Sequence, residues 1–248
     1  MPALGSLLLM VAATGLAQAD DFFVQSKVFL GKEVVESATM FHGGRVYDFL
    51  AEPEEVTVFD PPGHKFVVLD MQRQIKTEIS TSQIDEFTQK IQNEALARPV
   101  PLLAFLAKPT FTEAFDSATG ELTLKSDWMD YTVQTAKPKQ SDAASKYADF
   151  NNWQTKLNTL MHPGSLPPFA RLALNEALDR RSRLPTEVQV VRYAQHPSKR
   201  QTTIRAEHRL QWRLVDSDLK RIDDVAIALA TFRQVELKEY RAEQAEAE

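Results

Sequence analysis

The residues able to do chemistry are few and scattered along the chain. The five histidines fall at His42, His64, His162, His196 and His208, and none stands at a metal-ligand spacing from another. His42 and His64 both lie beside turns, where a surface histidine is the ordinary reading and a spatial pair the sharper one. Asp48, Asp60 and Asp70 recur towards strand ends, and carboxylates gathered there would bind a metal or serve as acid and base. Aspartate that bonds its own backbone in a turn explains Asp60 and Asp70 without any function. Asp216, Asp218, Asp223 and Asp224 lack the glycine and terminal glutamate of a calcium loop. Gly43-Gly44 opens no helix, unlike a phosphate loop, and Ser165 has no nucleophile-elbow context. The chain has no cysteine, which removes disulfides, thiolate nucleophiles and cysteine metal sites. The pattern predicts no catalytic residue, no metal and no cofactor, and so a protein that is not an enzyme.

What would position any such residue is the stretch from Met40 to Ile79. Short β-branched and aromatic runs are cut there by Gly43-Gly44, Ala51-Glu52-Pro53, Asp60-Pro61-Pro62-Gly63 and Asp70-Met71-Gln72-Arg73. That alternation of strand and turn chemistry predicts an antiparallel meander. Its strands are apolar on both faces: Phe66 and Val68 oppose Val67 and Leu69, and Val56 and Val58 oppose Phe59. A sheet of this kind needs cover on both sides. Helices cover one face, and the other requires a second sheet, curvature of the same sheet, a partner or an apolar ligand.

Composition sets the class. The 248 residues are 43% hydrophobic and 25% charged, with a formal net charge of −5, which argues against a nucleic-acid partner held by a basic surface. Residues 1–19 read as a signal peptide. Leu4 to Leu16 form its apolar core, and Ala17-Gln18-Ala19 gives a small-x-small cleavage site, so the mature chain begins at Asp20. That core is too short for a comfortable membrane span of about 20 residues, and no later segment qualifies. The expected location is periplasmic or secreted.

Further along, Phe22 to Leu30 and Val34 to Phe41 read as strands and Ser82 to Ala97 as an amphipathic helix capped by Thr81-Ser82. A short helical turn at Leu102 to Ala107 precedes strands at Phe111 to Phe115, Glu121 to Lys125 and Trp128 to Thr135. Asp142 to Met161 and Phe169 to Arg181 read as helices, the second with Leu172, Ala173, Glu176 and Ala177 inward. Glu187 to Tyr193 and Thr202 to Val215 pair as the last strands. In the second, Ile204, Ala206, His208 and Leu210 oppose a basic stripe of Arg205, Arg209 and Arg213. That stripe is a solvated face or a contact for anionic lipid or an acidic partner. Leu219 to Thr231 reads as helix, Phe232 to Tyr240 as helix or strand, and 241–248 as a disordered acidic tail. The count is about ten strands with three or four helices in a single α+β domain over residues 20–240.

An early meander (Phe22 to Ile79), intervening helices, a Leu184-Pro185 entry and a closing Glu187 to Val215 pair together resemble the outer-membrane lipoprotein carriers and their relatives. The resemblance implies a strongly curved antiparallel half-barrel wrapped around helices, with an apolar cavity for acyl chains. The sequence departs from it in having two consecutive helices between Asp142 and Arg181. The expectation is a non-enzymatic exported protein that binds a lipid, a lipoprotein acyl chain or another amphiphile between sheet and helices. Tyr47, Phe59, Val67, Leu69, Trp128 and Trp212 are the expected lining. The alternative is an envelope scaffold that binds another envelope protein and has no ligand cavity.

Overall fold

Positive φ at two successive residues, +59° at Gly43 and +77° at Gly44, forces the first tight reversal of the meander. Such a turn matches the right-handed twist of the strands it joins, and side chains other than glycine resist it. It links β2 (Glu33–His42) to β3 (Arg45–Leu50), with His42 opposite Arg45. β1 (Phe22–Leu30) precedes them, and β4 (Glu55–Asp60), β5 (Lys65–Asp70) and β6 (Ile75–Ser80) follow, each antiparallel to its neighbour. The turn aspartates work locally: Asp70 accepts from the backbone N–H of Arg73 at 2.7 Å and from its Nε at 2.8 Å.

The computed structural model of the chain describes residues 21–162, 164–193 and 201–245, with side chains as far as residue 242. The expected signal peptide and His196 lie outside the described residues.

α1 (Thr81–Leu96) starts where Ser80 accepts from Gln83 N and Gln83 Oε1 accepts in return from Ser80 N. This capping box sits one residue ahead of the Thr81-Ser82 cap that the sequence predicts. α2 (Pro101–Ala107) follows, then β7 (Thr112–Asp116), β8 (Glu121–Lys125) and β9 (Met129–Ala136). α3 (Ala143–Met161) and α4 (Phe169–Asp179) lead to β10 (Leu184–Arg192) and β11 (Thr202–Gln211). The last elements are α5 (Asp216–Thr231), β12 (Arg233–Gln234) and α6 (Leu237–Ala245).

The twelve strands of the described residues join one open sheet in the order β12-β6-β5-β4-β3-β2-β1-β11-β10-β9-β8-β7, antiparallel except where β12 runs parallel to β6. The fold is α+β, as the sequence predicts, with twelve strands and six helices among the described residues instead of about ten and three or four. The two-residue β12, too short to carry a period, falls in the Phe232 to Tyr240 stretch expected as helix or strand. α2 falls on the helical turn expected at Leu102 to Ala107, and α6 begins within the Phe232 to Tyr240 stretch expected as helix or strand. Residues 241–245 belong to α6, so that part of the expected disordered tail is helical. Among the described residues, no helix is long and apolar enough to cross a membrane.

Cover for the two apolar faces comes from different ends of the chain. On the first face, Phe22, Phe41, Phe59 and Phe66 form a core with Ile84 of α1 and Tyr147, Phe150 and Leu157 of α3. Phe22 stacks on Phe41 with centroids 4.0 Å apart, and Phe59 on Phe66 at 4.5 Å. Further along the same face, Leu122, Tyr131 and Val188 meet Leu106 of α2 and Leu174 and Leu178 of α4. On the second face, Ile222, Val225 and Ala228 of α5 lie on Met40, Tyr47, Phe49, Val58, Val67 and Leu69. Their spacing of three residues is one stripe of a helix. The cover that the two-faced strands demand is therefore a C-terminal helix. From α5 the chain rounds the β6 edge through β12, where Val235 N donates to Lys76 O at 2.9 Å, and α6 inserts Tyr240 into the first-face core.

Candidate functional site

A row of polar side chains crosses the first face, where an apolar core would ordinarily continue. The register aligns Val24, Thr39, Asp48, Thr57, Val68 and Thr77 on six successive strands. The adjacent row contains His208, Ser26 and Ser37. Buried polar groups need partners, and here some of the space above them is open instead. A cavity of about 590 Å³ lies over these rows, between the sheet and α3 and α4. It falls between the two first-face cores.

The walls differ in character. On the β2–β4 side they carry Thr39, Asp48 and Thr57 from the sheet, faced by Tyr147, Asn151 and Gln154 from α3. On the other side Val28, Leu106, Met129, Ala170 and Ala206 present apolar surface. Arg171, His208 and Tyr131 also line the cavity, with Arg171 in electrostatic reach of the other two. Of its lining, Val24, Thr39, Thr57 and Phe150 are buried, while Val35, His162, Ser165 and Leu166 are exposed.

Two hydrogen bonds fix the sheet-side groups. Thr39 Oγ1 donates to Asp48 Oδ1 at 2.7 Å, and Ser26 Oγ meets His208 Nδ1 at 2.9 Å. Burial raises the Asp48 carboxyl above its ordinary value, against the lowering effect of Thr39. Burial also pushes His208 down to about 4, aided by the positive charge of Arg171, so the imidazole is neutral at pH 7. The Tyr131 and Tyr147 phenols are raised by burial, and Arg171 opposes both shifts. His208 Nε2 and Gln154 Oε1 are buried wall atoms with no hydrogen-bond partner among the described residues. Among the described residues, no three His, Asp or Glu side chains gather as a metal site.

None of the six residues expected to line a cavity lines this one. Tyr47, Val67 and Leu69 are buried on the second face beneath α5. Phe59 stacks on Phe66 in the first-face core and borders a separate hollow of about 80 Å³ beside His42 and Asp21. Trp128 packs against the second first-face core, 6.3 Å from Phe105. Trp212 lies just beyond β11, 6.1 Å from Phe22. The lining that sequence reasoning missed had a signal. His208 is the polar residue on the inward side of an otherwise apolar alternation, and Thr39, Asp48 and Thr57 share one strand face. Arg171 was hidden because α4 buries Ala170, Leu174, Asn175, Ala177 and Leu178, a stripe rotated from the expected one.

No protein-family model and no curated protein matches the chain. A solved structure of PNGF-II matches over 88% of this chain and 31% of that one, at 9% identity and a TM-score of 0.35. The chain thus spans less than a third of that protein's length.

Proposed function

We propose that this is an exported, non-enzymatic binding protein that holds a lipid or another amphiphile between its sheet and helices. The open twelve-stranded sheet then acts as a half-barrel around α1 to α4, with periplasmic or secreted carriage of an acyl chain as its role. The observation that carries this reading is the cavity of about 590 Å³ with one apolar and one polar wall. Ligand sites commonly occupy ~300–1,000 Å³ and are apolar with a few placed polar groups. Binding would be driven by apolar burial, worth ~25 cal/mol per Å² before the costs of association.

The test is native mass spectrometry of protein purified gently from its own envelope, with organic extraction and a fluorescent fatty-acid titration. A co-purifying amphiphile at fixed stoichiometry supports the reading. Bare chain mass together with no probe binding overturns it. The second reading, an envelope scaffold, is favoured by Leu30, Val34 and Val35, which stand exposed around the β1–β2 hairpin tip. It predicts a stable complex with another envelope protein that survives mutation of the cavity.

A further inference from the structure

The wall carries a cation, Arg171, with no ion-pair partner among the described residues. Arg171 Nε donates to Asn175 Oδ1 at 3.0 Å, and Asn175 Nδ2 donates in turn to Asn152 Oδ1 at 3.0 Å. Asn175 is only 2% exposed, so this relay is a built interior feature. It engages the inner nitrogen of the guanidinium and leaves the two outer ones free of the relay. The Tyr147 side chain is within hydrogen-bond reach of Arg171. Among the described residues, no carboxylate forms an ion pair with Arg171. The two acids in the cavity wall are otherwise disposed: Asp48 accepts from Thr39, and Glu55 accepts from the Tyr240 hydroxyl at 2.8 Å. Burial also favours the neutral form of Asp48, which weakens it as a competitor for the guanidinium.

An arginine held this way presents paired N–H donors that match the two oxygens of a carboxylate or phosphate. Beside it lie the Tyr147 phenol and His208, whose Nε2 has no partner among the described residues. If Ser26 donates to Nδ1, that Nε2 carries the proton and is a further donor. The apolar wall of Val28, Leu106, Met129 and Ala206 borders the same space. Resting on the amphiphile reading above, we infer that the ligand bears an oxyanion head, a carboxylate or phosphate, received by Arg171, with its chain along that apolar wall.

The experiment is calorimetric titration of the purified protein at pH 7.5 with dodecanoate, dodecyl phosphate, dodecanol and inorganic phosphate. The expected result is that at least one of the anionic amphiphiles binds about tenfold or more tightly than the alcohol of equal chain length, as charged hydrogen bonds would give. Arg171→Gln is expected to bring that anion down to the level of the alcohol and leave the alcohol unchanged. Equal binding of acid, phosphate ester and alcohol by the unaltered chain overturns the head-group inference and leaves the amphiphile reading standing. Failure of all three chains to bind overturns the amphiphile reading itself. Inorganic phosphate binding as tightly as dodecyl phosphate overturns the inference in favour of a simple anion. The comparison on the unaltered chain needs no variant, so a misfolded Arg171→Gln would not blunt it. Arg171→Lys, which keeps the charge without the planar fork, is expected to retain part of the preference.

Discussion

Asn175 Oδ1 accepts the Nε–H of Arg171 at 3.0 Å, so a buried amide on one turn of α4 fixes the guanidinium one turn earlier. The amide is itself held by Asn152 of α3, and the two helices therefore share the task. Replacing Asn175 with alanine leaves the half-buried Asn152 side-chain oxygen without that donor and frees the arginine. The expected loss is about 1 kcal/mol in urea unfolding, the usual worth of such a hydrogen bond. Preference for an anionic over a neutral amphiphile should fall in the same variant, whereas a purely structural Asn175 would leave that ratio unchanged.

His208 links the cavity to acid stability. An ordinary histidine takes its proton near pH 6.5, and His208 in the fold only near pH 4. Between those values the unfolded chain binds more protons, so stability rises with pH through this window and is lost as pH falls from 6.5 towards 4. The loss attributable to this group reaches at most about 3 kcal/mol at the acid end. Urea midpoints at neutral and mildly acid pH should differ less in His208→Gln than in the unaltered chain. Equal differences would remove His208 as the titrating group.

On the second face, Val225 is 1% exposed and Ile227 is 62% exposed, two residues apart on the same helix. An aspartate at position 225 would bury an unpaired charge against Tyr47 and Leu69, while one at 227 would face water. Val225→Asp should cost more than about 4 kcal/mol or release α5 altogether, raising binding of a hydrophobic dye. Ile227→Asp should stay within about 0.5 kcal/mol. Similar effects from both would mean that α5 is not seated by this stripe.

Tyr240 is fully buried, and its hydroxyl donates to Glu55 at 2.8 Å while Arg73 lies 5.4 Å from its ring centre. Tyr240→Phe keeps the ring and deletes the hydrogen bond to a carboxylate, an expected loss of about 2 kcal/mol. Because α6 secures β12 against β6, amide exchange at Lys76 and neighbouring β6 positions should quicken in that variant. Unchanged exchange there would show that the strap holds without the hydroxyl.

The meander was legible because its turns are written in glycine, proline and aspartate and its strands in β-branched residues, all local signals. Phe66 and Val68 do oppose Val67 and Leu69, as the alternation of period two requires. What local pattern cannot say is which distant element lies on each face. Tyr47, Val67 and Leu69 read as ligand lining because the partner that buries them, α5, stands at the other end of the chain. Arg171 escaped notice for a related reason. Its meaning depends on Asn152 and Asn175 closing around it from two helices, and neither asparagine carries any sequence signature of that role. The cavity itself arises where small polar residues of β1 to β4 fail to fill the space beneath α3, a volume deficit that no single strand reveals.

The second-face cover also bears on the order in which the protein is made. A chain emerging from its N-terminus delivers β1 through β6 early and α5 nearly last. Met40, Tyr47, Phe49 and Leu69 must therefore wait, with one flank bare, until Ile222 and Val225 arrive. Such a segment is prone to wrong associations in the interval. Completion is then a single late event in which the final stretch seals strands made at the beginning, and a break near residue 216 would be felt first in strands from the opposite end of the chain.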